Sequence, residues 1–191
     1  MPDTQPNNLI IRLAKPKDKD RILQIQKESI EEICAEDYSA EQIQAVLEIK
    51  QLYNSRREKI EDIGEVVYVA EIGENIVGFS AYSGYWIGAV YVHPQHVRQG
   101  IGTKLVKGLE REALSRNIKT LAVSASITGK PFYQACGYEA FGRSHLSSRS
   151  GIYIPYIRMQ KWLIPPSEIE QLAVDCVTAY LRFMDWILPG W

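Results

Sequence analysis

The sequence predicts a mixed α/β domain in which about six to seven strands form one mixed sheet flanked by helices. Three observations predict it. The apolar spacing is helical from Asp18 to about residue 64, strand-like from Val66 to Val92, and helical again from Ile101. An almost continuously apolar run, "YWIGAVYV" from Tyr85 to Val92, is separated from a second strand, "IKTLAVSA", by one helix, as a parallel crossover requires. The chain has 191 residues and is 46% hydrophobic, which suits one compact core; two domains would be tight.

In chain order, residues 1–8 are polar and proline-containing and read as a loose tail. "LIIRLA" is a short strand, and a helix is expected from Asp18 to about Cys34, with Ile22, Ile25, Ile30 and Ile33 on one face. Ser39 and Gln42 form a capping box for a second helix carrying Ile43, Val46 and Leu47. Ser55 and Glu58 repeat the device for a short helix ending near Gly64. "VVYVAEI" and "IVGFSAY" then pair across a "GEN" turn. Tyr85–Val92 should be a strand buried on both faces, ended by His93-Pro94. A helix follows from Ile101 to about Arg116, with Leu105, Leu109 and Ala113 in register. "KPFYQACGY" is a short helix with Pro131 in its first turn and Gly137 at its end. Two last strands lie near Tyr138–Leu146 and Ile152–Trp162.

Residues 9–163 thus make the domain, and 164–191 an extension. The extension opens with a third capping box, Ser167 and Glu170, and is an amphipathic helix with Ile169, Leu172, Cys176 and Tyr180 on its apolar face. Glu168, Glu170, Asp175 and Asp185 make the other face acidic, against a membrane surface. It packs either on its own domain or on a second subunit as a homodimer.

Net charge is −1, so no strong field selects nucleic acid or an anionic membrane. No apolar run reaches the length of about 18 residues needed to cross a bilayer. Cys34, Cys136 and Cys176 have no metal-ligand spacing, and point to a reduced, cytoplasmic protein that holds no metal.

"HVRQGIGTKL" sets Gly100 and Gly102 between a strand and a helix. It lacks the Walker A spacing, and Leu105 stands where a dinucleotide fingerprint needs its third glycine. A strand-to-helix turn of small residues still exposes backbone N–H groups that can hold a pyrophosphate; alternatively the glycines only permit a tight turn.

"VYVHPQHVRQGIGTKLVKGLEREA" resembles the acetyl-CoA signature of the GNAT superfamily of N-acetyltransferases, small bacterial type, and "KPFYQACGYEAFG" resembles the same superfamily's later motif. The resemblance spans residues 9–162 and implies the GNAT acyl-CoA N-acyltransferase fold. It departs in having Val97 where the pattern has Gln or Arg, with Arg98 one place later, and Ser126 where asparagine is common.

The resemblance implies acetyl-CoA as cosubstrate and an amine acceptor that attacks the acetyl carbon directly. Two parallel strands would splay to admit the pantetheine arm. Backbone groups near Tyr91 and Val92 would bond it, the amides of Arg98, Gln99, Gly100, Ile101, Gly102 and Thr103 would cradle the pyrophosphate, and Ser126 would reach the pantetheine. Tyr133 would protonate the leaving thiolate, since a phenol with a pKa of about 10 keeps its proton at neutral pH. Phe132 is core. The base that takes the ammonium proton is open among Glu28, Glu31, Glu32, Asp37 and His93, or a water chain; each carboxylate alone can equally be a solvated helix face, and His93 a strand-ending residue. "CAEDYSAEQI" resembles a segment of some small bacterial members, which would bring Asp37 and Tyr38 to the acceptor site. Tyr82, Tyr85 and Trp86 would line the same site or belong to the sheet core. The rival reading is a non-catalytic acyl-CoA-binding sensor or interaction module.

Overall fold

The computed structural model describes residues 8–55 and 65–187. The strands are β1 (Leu9–Leu13), β2 (Val66–Ile72), β3 (Asn75–Ser83), β4 (Trp86–Val92), β5 (Thr120–Ala125), β6 (Glu139–Ser147) and β7 (Tyr153–Trp162). The helices are α1 (Lys19–Ile33), α2 (Ala40–Ser55), α3 (Ile101–Ser115), α4 (Lys130–Ala135) and α5 (Glu168–Ile187). The strands form one sheet in the order β1-β2-β3-β4-β5-β7-β6. Every neighbouring pair is antiparallel except β4 and β5.

Side-chain alternation along β2 assigns the two faces. Val67 and Val69, with Phe79 and Ala81 of β3, pack under Ile22 and Ile25 of α1. Ala70 and Val77 face Ile101 and Leu105 of α3. The expected stripe of α3 is fully buried: Leu105, Leu109 and Ala113 are each 0% exposed. Burying a leucine of this kind contributes roughly 2 kcal/mol. Ser39 and Gln42 cap α2 reciprocally, with Gln42 N–H donating to Ser39 Oγ at 3.2 Å and Ser39 N–H to Gln42 Oε1 at 3.0 Å. Helix α2 runs on to Ser55; the short helix expected beyond it, with Glu58, lies outside the described residues.

One expectation fails informatively. Strand β4 is not buried on both faces: Ile87 alone is buried, and its other residues are exposed or half-buried. The cause is its pairing. Strand β4 meets β5 only at Trp86–Ala122 and Ile87–Val123, so the edge of β4 beyond Ile87 is open. An apolar run can mark a surface that receives a ligand as well as a dry core.

The entry to α1 is fixed by Asp18, which is 3% exposed. Its carboxylate accepts from the Arg12 guanidinium at 2.7 Å and from the Lys15 backbone N–H at 2.8 Å. The hydrogen bond from Arg12 holds the Asp18 carboxyl below the ordinary carboxylate range, against the opposing effect of burial. A depressed folded pKa stabilises the fold above the unfolded value, and that stabilisation fades as pH falls through the folded one. Asp18→Asn should therefore cost about 2 kcal/mol at neutral pH. Urea unfolding at neutral and strongly acid pH checks this: the gap to the wild type should close in acid, and an equal gap at both would refute the assignment.

Helix α5 carries the expected capping box. Ser167 N–H and Oγ–H donate to Glu170 Oε2 at 2.8 and 2.9 Å. These bonds, with Lys119 at 3.2 Å, pull the Glu170 carboxyl down to about 2. Its apolar residues Ile169, Leu172, Val177 and Tyr180 stand exposed, so these side chains do not pack on their own domain. No helix among the described residues is long and apolar enough to cross a membrane.

Candidate active site

The site grows from the place where β4 leaves β5. Against β3, Ala89 pairs with Ala81 and Ile87 with Tyr82, which leaves Gly88 as an extra, unpaired residue. Such a bulge turns the strand and increases its twist. Past it, β4 remains bonded to β3, with Tyr91 opposite Phe79 and Val92 opposite Gly78. Its other edge faces the gap toward β5. Backbone N–H and C=O groups left on such an edge are open to an extended ligand.

Beyond the gap the chain turns into α3. His93 ends β4 with its N–H on the Val77 carbonyl, and residues Pro94–His96 make one tight turn. Arg98 and Gly100 both have left-handed backbones, at φ +62° and +75°. A non-glycine there costs of order 1 kcal/mol, so Arg98 holds some strain. No side chain caps α3, and its first intrahelical bond runs from the Lys104 N–H to the Gly100 carbonyl. The N–H groups of Gly100, Ile101, Gly102 and Thr103 are therefore the ones an anion can use.

The two glycines have separate reasons. A Cβ at Gly100 would meet nothing within 4 Å, so Gly100 serves the left-handed turn and leaves open space before it. A Cβ at Gly102 would stand 3.0 and 3.2 Å from two ring carbons of Phe132. Gly102 lets α4 pack against the start of α3. The turn reading thus accounts for Gly100, packing against α4 accounts for Gly102, and the space in front of Gly100 stays open to an anion.

That packing places Tyr133. Its ring is 7% exposed and lies edge-on to Phe132 at 5.0 Å and Tyr138 at 5.6 Å. Burial, with the nearby Tyr91 and Cys136, pushes its phenol far above the ordinary range. Such a phenol stays protonated at any working pH. Ser126 accepts the Gly129 N–H at 2.9 Å and so shapes the turn into α4; its hydroxyl hydrogen remains to donate.

On the α1 face of the sheet, beside the bulge, lies a cleft of ≈ 320 Å³. Val67, Phe79, Ala81 and Ala89 form its floor, α1 and α2 its walls, and Trp86 and Leu146 part of its rim. Gln26 of α1 and Asn54 of α2 close one side through a 3.0 Å hydrogen bond. Tyr82 belongs to the core at 1% exposure, Tyr85 is exposed, and Trp86 alone of the three lines the cleft.

The expected bases fall elsewhere. Glu31, Glu32 and Asp37 are exposed, and Glu31 faces Lys27 at 3.8 Å. His93 is held from two sides, with Nε2 3.1 Å from Glu28 Oε2 and Nδ1 accepting the Gln95 N–H. Neither Glu28 nor these four is among the residues that line the cleft. Tyr38 is a latch: its hydroxyl donates to the Pro155 carbonyl at 2.7 Å and accepts the Ile127 N–H at 2.9 Å. The carboxylate in the cleft is Glu65, whose Oε1 lies 3.4 Å from where a Cβ on Gly88 would be. Sequence reasoning passed over it. The available signal was alternation, since Glu65, just before β2, continues the every-other-residue pattern of Val67 and Val69.

Comparison with known proteins bears on the family and the fold. Residues 34–163 match the family model described as "Acetyltransferase (GNAT) domain". The chain is 27% identical over 155 residues to the uncharacterized N-acetyltransferase YafP of Escherichia coli K12, covering 81% of this chain and 97% of that one. A GCN5-related N-acetyltransferase structure from Rhodopseudomonas palustris superposes with a TM-score of 0.73 at 30% identity, over 85% of this chain and 98% of the other. The PaiA N-acetyltransferase of Thermoplasma acidophilum, solved with coenzyme A, gives a TM-score of 0.60 at 17% identity, over 81% and 99%, a likeness of fold. With its parted parallel strands, uncapped helix start and buried tyrosine, the chain belongs to the GNAT acetyltransferase family.

Proposed function

We propose that the protein transfers the acetyl group of acetyl-CoA to a primary amine of a small molecule or protein, by direct attack. The observation that carries this is the opening between β4 and β5, with the Gly88 bulge at its apex, a cleft on one side and the α3 start at its end. The pantetheine arm would run along β4 past Tyr91 and Val92, and the pyrophosphate would take the N–H groups from Arg98 to Thr103. Holding acetyl-CoA and the amine in one geometry removes much of the entropic barrier. A β4 N–H at the bulge would meet the developing oxyanion.

Protons balance as follows. The ammonium gives one proton to a base in the cleft, and the free amine attacks the carbonyl carbon. As the C–S bond breaks, Tyr133 protonates the thiolate, and the proton shed by the acylated nitrogen restores the phenol. The products are the amide, CoA thiol and one proton released to water. A cytoplasmic location is part of the proposal, supported by three unpaired thiols.

Titration with acetyl-CoA by calorimetry tests the reading. Gly100→Glu places a carboxylate in open space where phosphates would sit, and should weaken binding about 100-fold through like-charge repulsion. No binding by the wild type would overturn the proposal. Binding without turnover of any amine would favour the sensor reading.

A further inference from the structure

The cleft beside the bulge has a distinct chemical lining. Its floor is apolar, and Phe79, Trp86 and Tyr53 give it flat aromatic surface. Its volume, ≈ 320 Å³, suits a small ring-sized body. The described lining holds three charged groups, and their placement is not symmetric. Glu65 lies at the floor, against Gly88, where β4 leaves β5. Lys19 of α1 and Lys50 of α2 lie on the helical walls. The negative group thus sits on the sheet side, beside the bulge, and the two positive groups belong to the helices across the cleft.

From this placement we propose that the acceptor is a primary amine on an apolar, aromatic-sized body that carries an anionic group remote from the amine. The inference rests on the acetyltransferase reading above. The acceptor ammonium meets the Glu65 carboxylate, gives it one proton and attacks as the free amine. The body lies on Phe79 and Trp86, and its anionic end turns to the lysines. A polyamine fits poorly, because its second cationic group would meet ammonium where it needs a carboxylate. An aminoglycoside fits poorly for the same reason, and because its body is polar.

Three acceptors of graded chemistry test this: benzylamine, 4-(aminomethyl)benzoate and spermidine. Turnover is read as CoA thiol release, and acetyl-CoA titration is run on every variant. The carboxylated amine should exceed benzylamine in kcat/KM by about tenfold, the size expected of one charge-assisted contact, and spermidine should be the poorest. The ratio of the first two should fall toward one in the Lys19→Gln, Lys50→Gln double variant. Glu65→Gln should lower kcat/KM by about 100-fold for all acceptors while acetyl-CoA still binds. Equal rates for the two ring amines, a preference for spermidine, or no turnover of the carboxylated amine by protein that binds acetyl-CoA would each overturn the proposal. Failure to bind acetyl-CoA at all would instead strike the acetyltransferase reading beneath it.

Discussion

Replacing Tyr133 by phenylalanine should lower kcat about 1,000-fold, within the range for removing a positioned acid, and leave acetyl-CoA affinity nearly as it was. The ring is what packs: Phe132 and Tyr138 meet it edge-on, and phenylalanine keeps both contacts. What goes is one hydroxyl, held in a setting that penalises the phenolate. A thiolate leaving without a proton must instead draw one from water. Two readouts separate this role from a structural one. Calorimetry should give the variant a Kd for acetyl-CoA close to the wild type's, and the wild-type rate should show no alkaline loss up to and beyond the ordinary phenol pKa, because burial raises the folded value. A variant that turns over as fast as the wild type would remove Tyr133 from the chemistry.

Local patterns carried far in this chain. The capping residues Ser39 and Ser167 begin helices α2 and α5, and the i, i+4 stripe of α3 is the stripe that is buried. The glycine turn into α3 and the short helix that buries Tyr133 were legible because each belongs to a contiguous motif whose backbone geometry is local. The cleft was not. It is assembled from α1, α2, β2, β3, β4 and Leu146 of β6, and its carboxylate reaches Gly88 only through strand pairing and a bulge. Of the candidate bases near the first helix, Glu31, Glu32 and Asp37 stand on solvated faces, and Glu28 pairs with His93 outside the cleft. The burial of β4 failed for a related reason. Hydropathy records how apolar a strand is, and says nothing of whether its neighbour runs alongside it or diverges after two residues. Helix α5 shows the same limit from the other side: its amphipathic pattern made the helix predictable, but nothing in that pattern says what its apolar face meets.

Gly102 offers the other large effect, and a way to separate packing from ligand access. Gly102→Val should destabilise the protein by about 3 kcal/mol, since overpacking a rigid contact costs this much at its upper range. The new Cβ would press on the Phe132 ring, and that ring belongs to the helix that holds Tyr133. Activity should fall with stability, because α4 must move. The second variant is Gly102→Ala combined with Phe132→Leu, which removes the ring the Cβ would strike. If Gly102 serves α3–α4 packing, the double variant should regain most of the stability lost by Gly102→Ala alone, read by thermal unfolding, and should bind acetyl-CoA near wild-type strength. If Gly102 is there so that phosphate can approach the backbone, the double variant should fold well and still bind weakly. Gly100→Glu acts as the reference for that second outcome: an added side chain there strikes nothing, and the strain of order 1 kcal/mol from its left-handed backbone is read separately by thermal unfolding. A difference between the two positions would mean that the paired glycines answer to different neighbours, one to the ligand and one to the helix that positions the acid.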